Sequence, residues 1–152
     1  MIEIVNTELE HLVTIAENMR QADRNEVWAA RAMLPMEALS KSVDNSDCAN
    51  TVLYENRPAA IVGVGLSEQG KNVIWMLGTK DVDENKKSVL RLSAEYVTNL
   101  KQRYDYLCNY VDARHSNISW LQWLGFTVME STPYGPFRMP FHYFYWNKQE
   151  MS

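Results

Sequence analysis

The spacing of apolar residues changes period several times along the chain, and each change predicts an element. Residues 1–5 alternate apolar and polar and read as a first strand. Thr7 with Glu10 then reads as a capping box, and Leu12, Ile15, Ala16 and Met19 build one helical face with His11 on its polar side. A polar stretch, residues 20–26, precedes residues 27–32, and Pro35 opens another helix to about Ser42. From Cys48 onward the pattern shortens. Residues 51–54, a turn at Asn56-Arg57-Pro58 and residues 59–66 read as an antiparallel pair, and the turn 68–71 leads to a third strand, 73–77. After Thr79 the period is helical again, with Val89, Ser93, Val97, Leu100 and Tyr104 on one face and Asp81 or Asp83 as the cap.

The later part of the chain reads as a strand over residues 106–111 and a short helix capped by Ser116. Its stripe is Trp120, Leu121 and Leu124, and Gly125 stops it in the left-handed conformation. A strand follows over residues 126–129, then a loop holding Pro133, Gly135, Pro136 and Pro140. In the final strand, 141–146, Phe141, Tyr143 and Tyr145 point to one face and His142, Phe144 and Trp146 to the other. The order predicts an α+β fold, a mixed sheet with helices on both faces.

Composition narrows this to one domain over residues 1–152: 46% of residues are apolar and 22% charged, as in a folded chain with a core. The net charge is −4, and Lys80, Lys86 and Lys87 sit among Asp81, Asp83 and Glu84, so no clustered basic face for nucleic acid is expected. No apolar run approaches the ~18 residues of a membrane span, and the first residues lack a basic-then-apolar leader, so a soluble, unexported protein is expected. Cys48 and Cys108 read as free thiols in strands. His11, His115 and His142 show no metal-ligand spacing, and no metal site is assigned. Gly63-Val64-Gly65 opens no helix and marks close backbone contact rather than a dinucleotide loop.

A strand feeding a short helix that ends in Leu124-Gly125-Phe126 resembles the late part of the GNAT acyltransferase fold, and the element order is similar to that fold over essentially the whole chain. More narrowly, residues 46–126 resemble a small family of GNAT-like tailed-phage proteins typified by an internal virion protein of short-tailed coliphages. The shared marks are residues 46–54 (SDCANTVLY), the strand 60–65 with its glycines, and Trp75 before the long helix. Tyr104, Asn109-Tyr110-Val111 and the helix with Trp120-Leu121 and Leu124-Gly125 complete the set. This resemblance implies a role in virion structure, assembly or infectivity, through contacts with a phage or host protein and with neither nucleic acid nor membrane. It implies a location in the host cytoplasm or inside the particle, with self-association open.

The GNAT resemblance also implies where acyl-transfer chemistry would sit. The turn that cradles pyrophosphate falls on residues 78–87, which hold one glycine and three carboxylates. The Tyr that protonates the leaving thiolate in many such enzymes is Leu121 here, Arg114 replaces an Asn that often opens that helix, and residues 73–77 contain no ionisable group. No catalytic residue is therefore assigned and no cofactor is expected. Trp123, Tyr134 and Phe137 are the candidate interface, because exposed aromatics anchor partners. The alternative is an active acetyl-CoA-dependent N-acetyltransferase acting on a host or phage protein. It would hold the donor with the backbone of Leu77 and Thr79, the charges of Lys86 and Lys87, and Asn117.

Overall fold

The structure, a computed structural model, describes residues 1–114 and 118–151. Seven strands form one sheet: β1 (Ile2–Asn6), β2 (Ser46–Tyr54), β3 (Arg57–Leu66), β4 (Asn72–Gly78), β5 (Tyr106–Asp112), β6 (Thr127–Tyr134) and β7 (Met139–Asn147). Six helices, α1 (Leu9–Glu17), α2 (Gln21–Arg31), α3 (Pro35–Asp44), α4 (Lys80–Glu84), α5 (Lys86–Arg103) and α6 (Ile118–Trp123), connect them, and a 3-10 turn (Lys148–Met151) follows β7. The strand order is β1-β2-β3-β4-β5-β7-β6, and every neighbouring pair is antiparallel except β4 with β5. This is the mixed, mostly antiparallel α+β architecture that the element order predicts.

Strand alternation sorts the core into two layers. Ile61 and Leu77 point toward α1 and α3 and pack with Leu12, Ile15 and Leu39. Val64, Leu107, Phe144 and Trp146 point the other way and pack with Val97 and Leu100 of α5 and with Phe126. The expected split of β7 holds: Phe144 and Trp146 enter that second layer, whereas Tyr143 and Tyr145 join the rings of Tyr110 and Tyr106 on the opposite face. Leu39 and Ile15 are fully buried, so truncation of either to Ala costs about 2–5 kcal/mol.

The glycine expectations hold at both Gly125 and Gly63. Gly125 closes α6 with φ 99°, and Phe126 N–H reaches Leu121 C=O while Gly125 N–H reaches Gln122 C=O, each at 3.0 Å. That pair of bonds is a Schellman closure, as the sequence predicts. Gly63 is a close approach: a Cβ there would lie 2.7 Å from Cys48 O and 2.9 Å from the Trp75 ring.

Several expectations need correction. The polar stretch 20–26, to which the pattern assigns no element, forms the N-cap and first part of α2, with Val27 and Ala29 buried farther along. Polar side chains along it find local partners: Arg24 Nε donates to Met19 O at 2.8 Å and Gln21 Nε2 donates to Asn25 Oδ1 at 2.8 Å. Thr7 and Glu10 do not form the cap of α1. The N-cap is Glu8, whose N–H donates to Nδ1 of a buried His11 at 3.0 Å, so His11 is not on the polar side. Neither Asp81 nor Asp83 caps the long helix. Thr79 Oγ1 caps the separate turn α4, and Asn85 is the N-cap residue of α5. The segment expected to be a loop continues β6 through Pro133 to Tyr134, since an edge strand tolerates a missing N–H. Ser116, expected to cap α6, and His115 lie outside the described residues.

Candidate functional site

Strands β4 and β5 are paired at one position only, Val73 with Cys108, and then part. Alternation fixes which β4 groups face the resulting wedge. Thr79 N–H donates to Ala59 O of β3 at 2.8 Å, so Leu77, two residues earlier, also turns its peptide groups toward β3. Ile74, Met76 and Gly78 turn theirs toward β5. Two of those three are already engaged. Ile74 O accepts the Asn109 carboxamide at 2.7 Å, and Gly78 N–H donates to Asp23 Oδ2 at 2.8 Å while its oxygen accepts Arg20 N–H at 2.9 Å.

Asn109 holds the narrow end of the wedge. Its Nδ2 reaches β4 and its Oδ1 accepts the N–H of Tyr110 at 2.7 Å, so one side chain stands in for the missing ladder. The wide end is braced by α2. Asp23 and Glu26, one helical turn apart, reach different arms: Asp23 takes the Gly78 N–H of β4, and Glu26 Oε2 takes the Asp112 N–H of β5 at 3.1 Å. Between these braces lies a cleft of about 370 Å³, lined by Ile74, Met76, Tyr110, Trp120, Leu121 and Glu26 among others. Its walls are largely apolar, with few polar groups converging on it, the usual make-up of a small-molecule site.

The charges around this cleft are unevenly compensated. Burial works against the Arg20 guanidinium, but Asp23 and Asp83 outweigh it and raise its pKa. Burial raises the Asp23 carboxyl despite Arg20. Glu26, half-buried, has no ion pair among the described residues; burial pushes its pKa up to about 7, against the pull of the Asp112 N–H and with the help of the Asp23 and Asp112 carboxylates. Asp112, fully buried, is tied to Arg114 through Nε at 3.0 Å and Nη2 at 2.8 Å.

The residues expected to bind a donor fall in different places. Leu77 is core and its peptide faces β3; Thr79 is buried, its hydroxyl donating to Ala59 O at 3.1 Å. Both therefore turn away from the wedge, where Met76 supplies the peptide instead. Lys86 and Lys87 are exposed in the first turn of α5, and Asn117 lies outside the described residues. Of the three carboxylates in the 78–87 turn, two carry partners: Asp81 accepts Arg57 at 3.2 Å and Asp83 accepts Arg20 at 2.8 Å. Gly78 serves packing, because a Cβ would lie 2.8 Å from Val82 and 3.0 Å from Ala59 O.

The interface candidates do not share one surface. Trp123 is 58% exposed on α6, on the α5 side of the sheet. Tyr134 stacks on Tyr110 with ring centres 3.8 Å apart, and Phe137 stacks on Trp28 of α2, both on the other side. Glu8, Glu10 and His11 bring ligand-type atoms within 4.8 Å, but Nδ1 of His11 is occupied by the Glu8 N–H, which places the ring proton on Nε2. Sequence reading missed Asp23, Glu26 and the bridging role of Asn109. The available signal was the one-turn spacing of the two acids on a helix, hidden because residues 20–26 carry almost no apolar period.

Comparison with known proteins agrees with this fold. No protein-family model and no curated protein matches the sequence. Solved structures do. A ribosomal-protein-alanine N-acetyltransferase from Brucella melitensis superposes with a TM-score of 0.73 at 13% identity, over 95% of this chain and 99% of that one. An N-acetyltransferase from Staphylococcus aureus gives 0.67 at 15% identity, over 98% and 99%. A spermidine N-acetyltransferase from Vibrio cholerae, in complex with CoA and spermine, gives 0.68 at 10% identity, over 97% and 96%. The chain has the fold of the GNAT N-acetyltransferases.

Proposed function

We propose that this protein binds a coenzyme A thioester in the wedge between β4 and β5 and transfers its acyl group to an amine. The observation that carries the reading is the single β4–β5 pairing followed by separation, which leaves the Met76 peptide facing an apolar cleft. A pantetheine arm is a chain of amides and methylenes, and such a slot matches both parts. Met76 N–H is placed to donate to the thioester oxygen as charge grows on it, and the excluded water makes that bond stronger. The charges of Arg20, Arg57, Lys86 and Lys87 surround the α4–α5 turn, where phosphates would lie. Bound there, a CoA thioester supplies the electrophilic acyl carbon. Two solved structures of the same fold, an acetyltransferase from Bacillus subtilis and the spermidine N-acetyltransferase from Vibrio cholerae, are complexes with CoA, which supports a CoA ligand.

Two features differ from the usual pyrophosphate cradle: its one glycine serves packing, and α4 interrupts the turn. The phosphate end is therefore expected to bind weakly, with affinity drawn from the wedge. A role inside a phage particle rests on the sequence resemblance alone and makes no use of the cleft. Calorimetric titration with acetyl-CoA, CoA and pantetheine tests the reading. Micromolar to tens-of-micromolar binding of CoA, with a thermal shift, is expected. Absence of heat and shift at millimolar CoA would leave the wedge without this role.

A further inference from the structure

Acyl transfer to an amine must dispose of a proton, and β4 brings no ionisable side chain to the wedge: residues 72–78 are Asn, Val, Ile, Trp, Met, Leu and Gly. We infer that Glu26, reaching the wedge from α2, is the proton acceptor for that step, in place of a base on β4. The inference rests on the acyl-transfer reading above.

Position comes first. Glu26 lines the cleft, and its Oε2 is fixed by the Asp112 N–H at 3.1 Å at the wide end of β5. One oxygen is thus held by a main-chain donor, which leaves the other for a substrate proton or an intervening water. The neighbouring acids are committed elsewhere. Asp23 is bound by Gly78 N–H and Arg20, Asp83 by Arg20, and Asp112 by the Arg114 backbone and guanidinium. Glu26 has no ion pair among the described residues.

The charged groups that face Glu26 are Arg20, the N-cap of α2, Asp23 of α2 and Asp112 of β5. Burial and the two acids hold its pKa near 7 against Arg20 and the Asp112 N–H, so at neutral pH the carboxylate and carboxylic acid are both populated. A base so poised takes up a proton and returns it to solvent with little bias either way. Asp23 and Tyr96, also on the cleft, are shifted toward their neutral forms as well, but Asp23 is committed to Arg20 and Gly78 N–H, and a phenol raised by burial is a poor base.

The step balances as follows. The amine nitrogen forms a bond to the acyl carbon, the carbon–sulfur bond breaks, and sulfur leaves with the bonding pair. Glu26 takes the proton shed by nitrogen, and the thiolate is protonated from water. No oxidant or metal is required. Since Glu26 reaches in from the α2 side of the sheet, the amine is expected to enter between α2 and Tyr110, away from α5.

The test uses the full chain with acetyl-CoA and follows thiol release between pH 5.5 and 9, with water alone and with spermidine as the acceptor. Wild type should release thiol above the buffer rate, rising through about pH 7. E26Q should bind CoA within about twofold of wild type but lose at least about 100-fold in rate and the neutral limb of the profile. Independently, the Glu26 carboxyl carbon, followed by NMR, should titrate near 7 and move on CoA binding. An E26Q rate and profile like wild type would overturn the assignment. So would CoA binding by wild type without thiol release to either acceptor. Absence of CoA binding by wild type would instead remove the underlying reading, and calorimetry separates the two cases.

Discussion

Glu26 carries a cost that its neighbours do not. A carboxyl whose pKa rises from 4.5 to about 7 on folding is stabilised by the fold only in its neutral form. Above the unfolded value the unfolded chain ionises first, so native stability falls as pH rises from about 4.5 and levels off above about 7. The full shift corresponds to about 3 kcal/mol, and water in the cleft reduces this to about 2. Glu26→Gln keeps an oxygen for the Asp112 N–H and removes the ionisation. The variant should therefore be more stable than wild type by about 2 kcal/mol at pH 8 and indistinguishable from it near pH 4, by urea denaturation. A constant difference at both pH values would mean that Glu26 titrates as an ordinary surface acid. Asp23 sits one turn away with a raised pKa as well, yet its bonds to Arg20 and Gly78 make its removal a loss of contacts rather than a relief.

At the scale of elements, the wedge depends on how β4 and β5 are kept apart without leaving bare backbone between them. Asn109 satisfies Ile74 C=O and Tyr110 N–H with one carboxamide. Asn109→Leu fits a similar volume and removes both bonds, so a loss of about 2–4 kcal/mol is expected in chemical denaturation. Asn109→Asp keeps the acceptor for Tyr110 but sets a carboxylate against the Ile74 oxygen, and should lose at least as much. If both variants keep wild-type stability, the narrow end is held by something other than this side chain. The same bond pattern shows what a sequence can and cannot announce. Strands and helices that bury apolar rows, such as β3, β4 and α5, follow from period alone, and Gly125 announces its turn because few other residues adopt φ 99°. Helix α2 escapes, because its buried positions include Asp23 and its stabilising partners are backbone groups of β4 and β5. The contact between Glu26 and Asp112 joins residues 86 apart through a side chain and a peptide, a link with no periodic signature.

Taken as a whole, the molecule carries a net charge of −4 yet gathers cations around one turn. Its sheet is two antiparallel units, β1-β2-β3-β4 and β5-β7-β6, joined by one parallel contact, so the site lies where the two halves diverge. At the mouth, Arg57 and Arg20 cancel Asp81 and Asp83, which leaves Lys86 and Lys87 as surplus positive charge beside Glu84. Counting the carboxylates of this turn without their partners from β3 and α2 would make it hostile to an anion, whereas the folded arrangement is close to neutral or positive. Since both lysines are exposed, each should contribute about 0.3–1 kcal/mol to holding phosphate, a modest share that salt screens. Replacing Lys86 and Lys87 together with Ala should therefore weaken CoA about three- to thirtyfold and leave pantetheine, which lacks the charged nucleotide end, unchanged. Raising the ionic strength of wild type should narrow the CoA-over-pantetheine preference in the same direction. Equal weakening of both ligands would locate the effect in the packing of α5 rather than in charge, and no change in either would place the phosphates away from the α4–α5 turn.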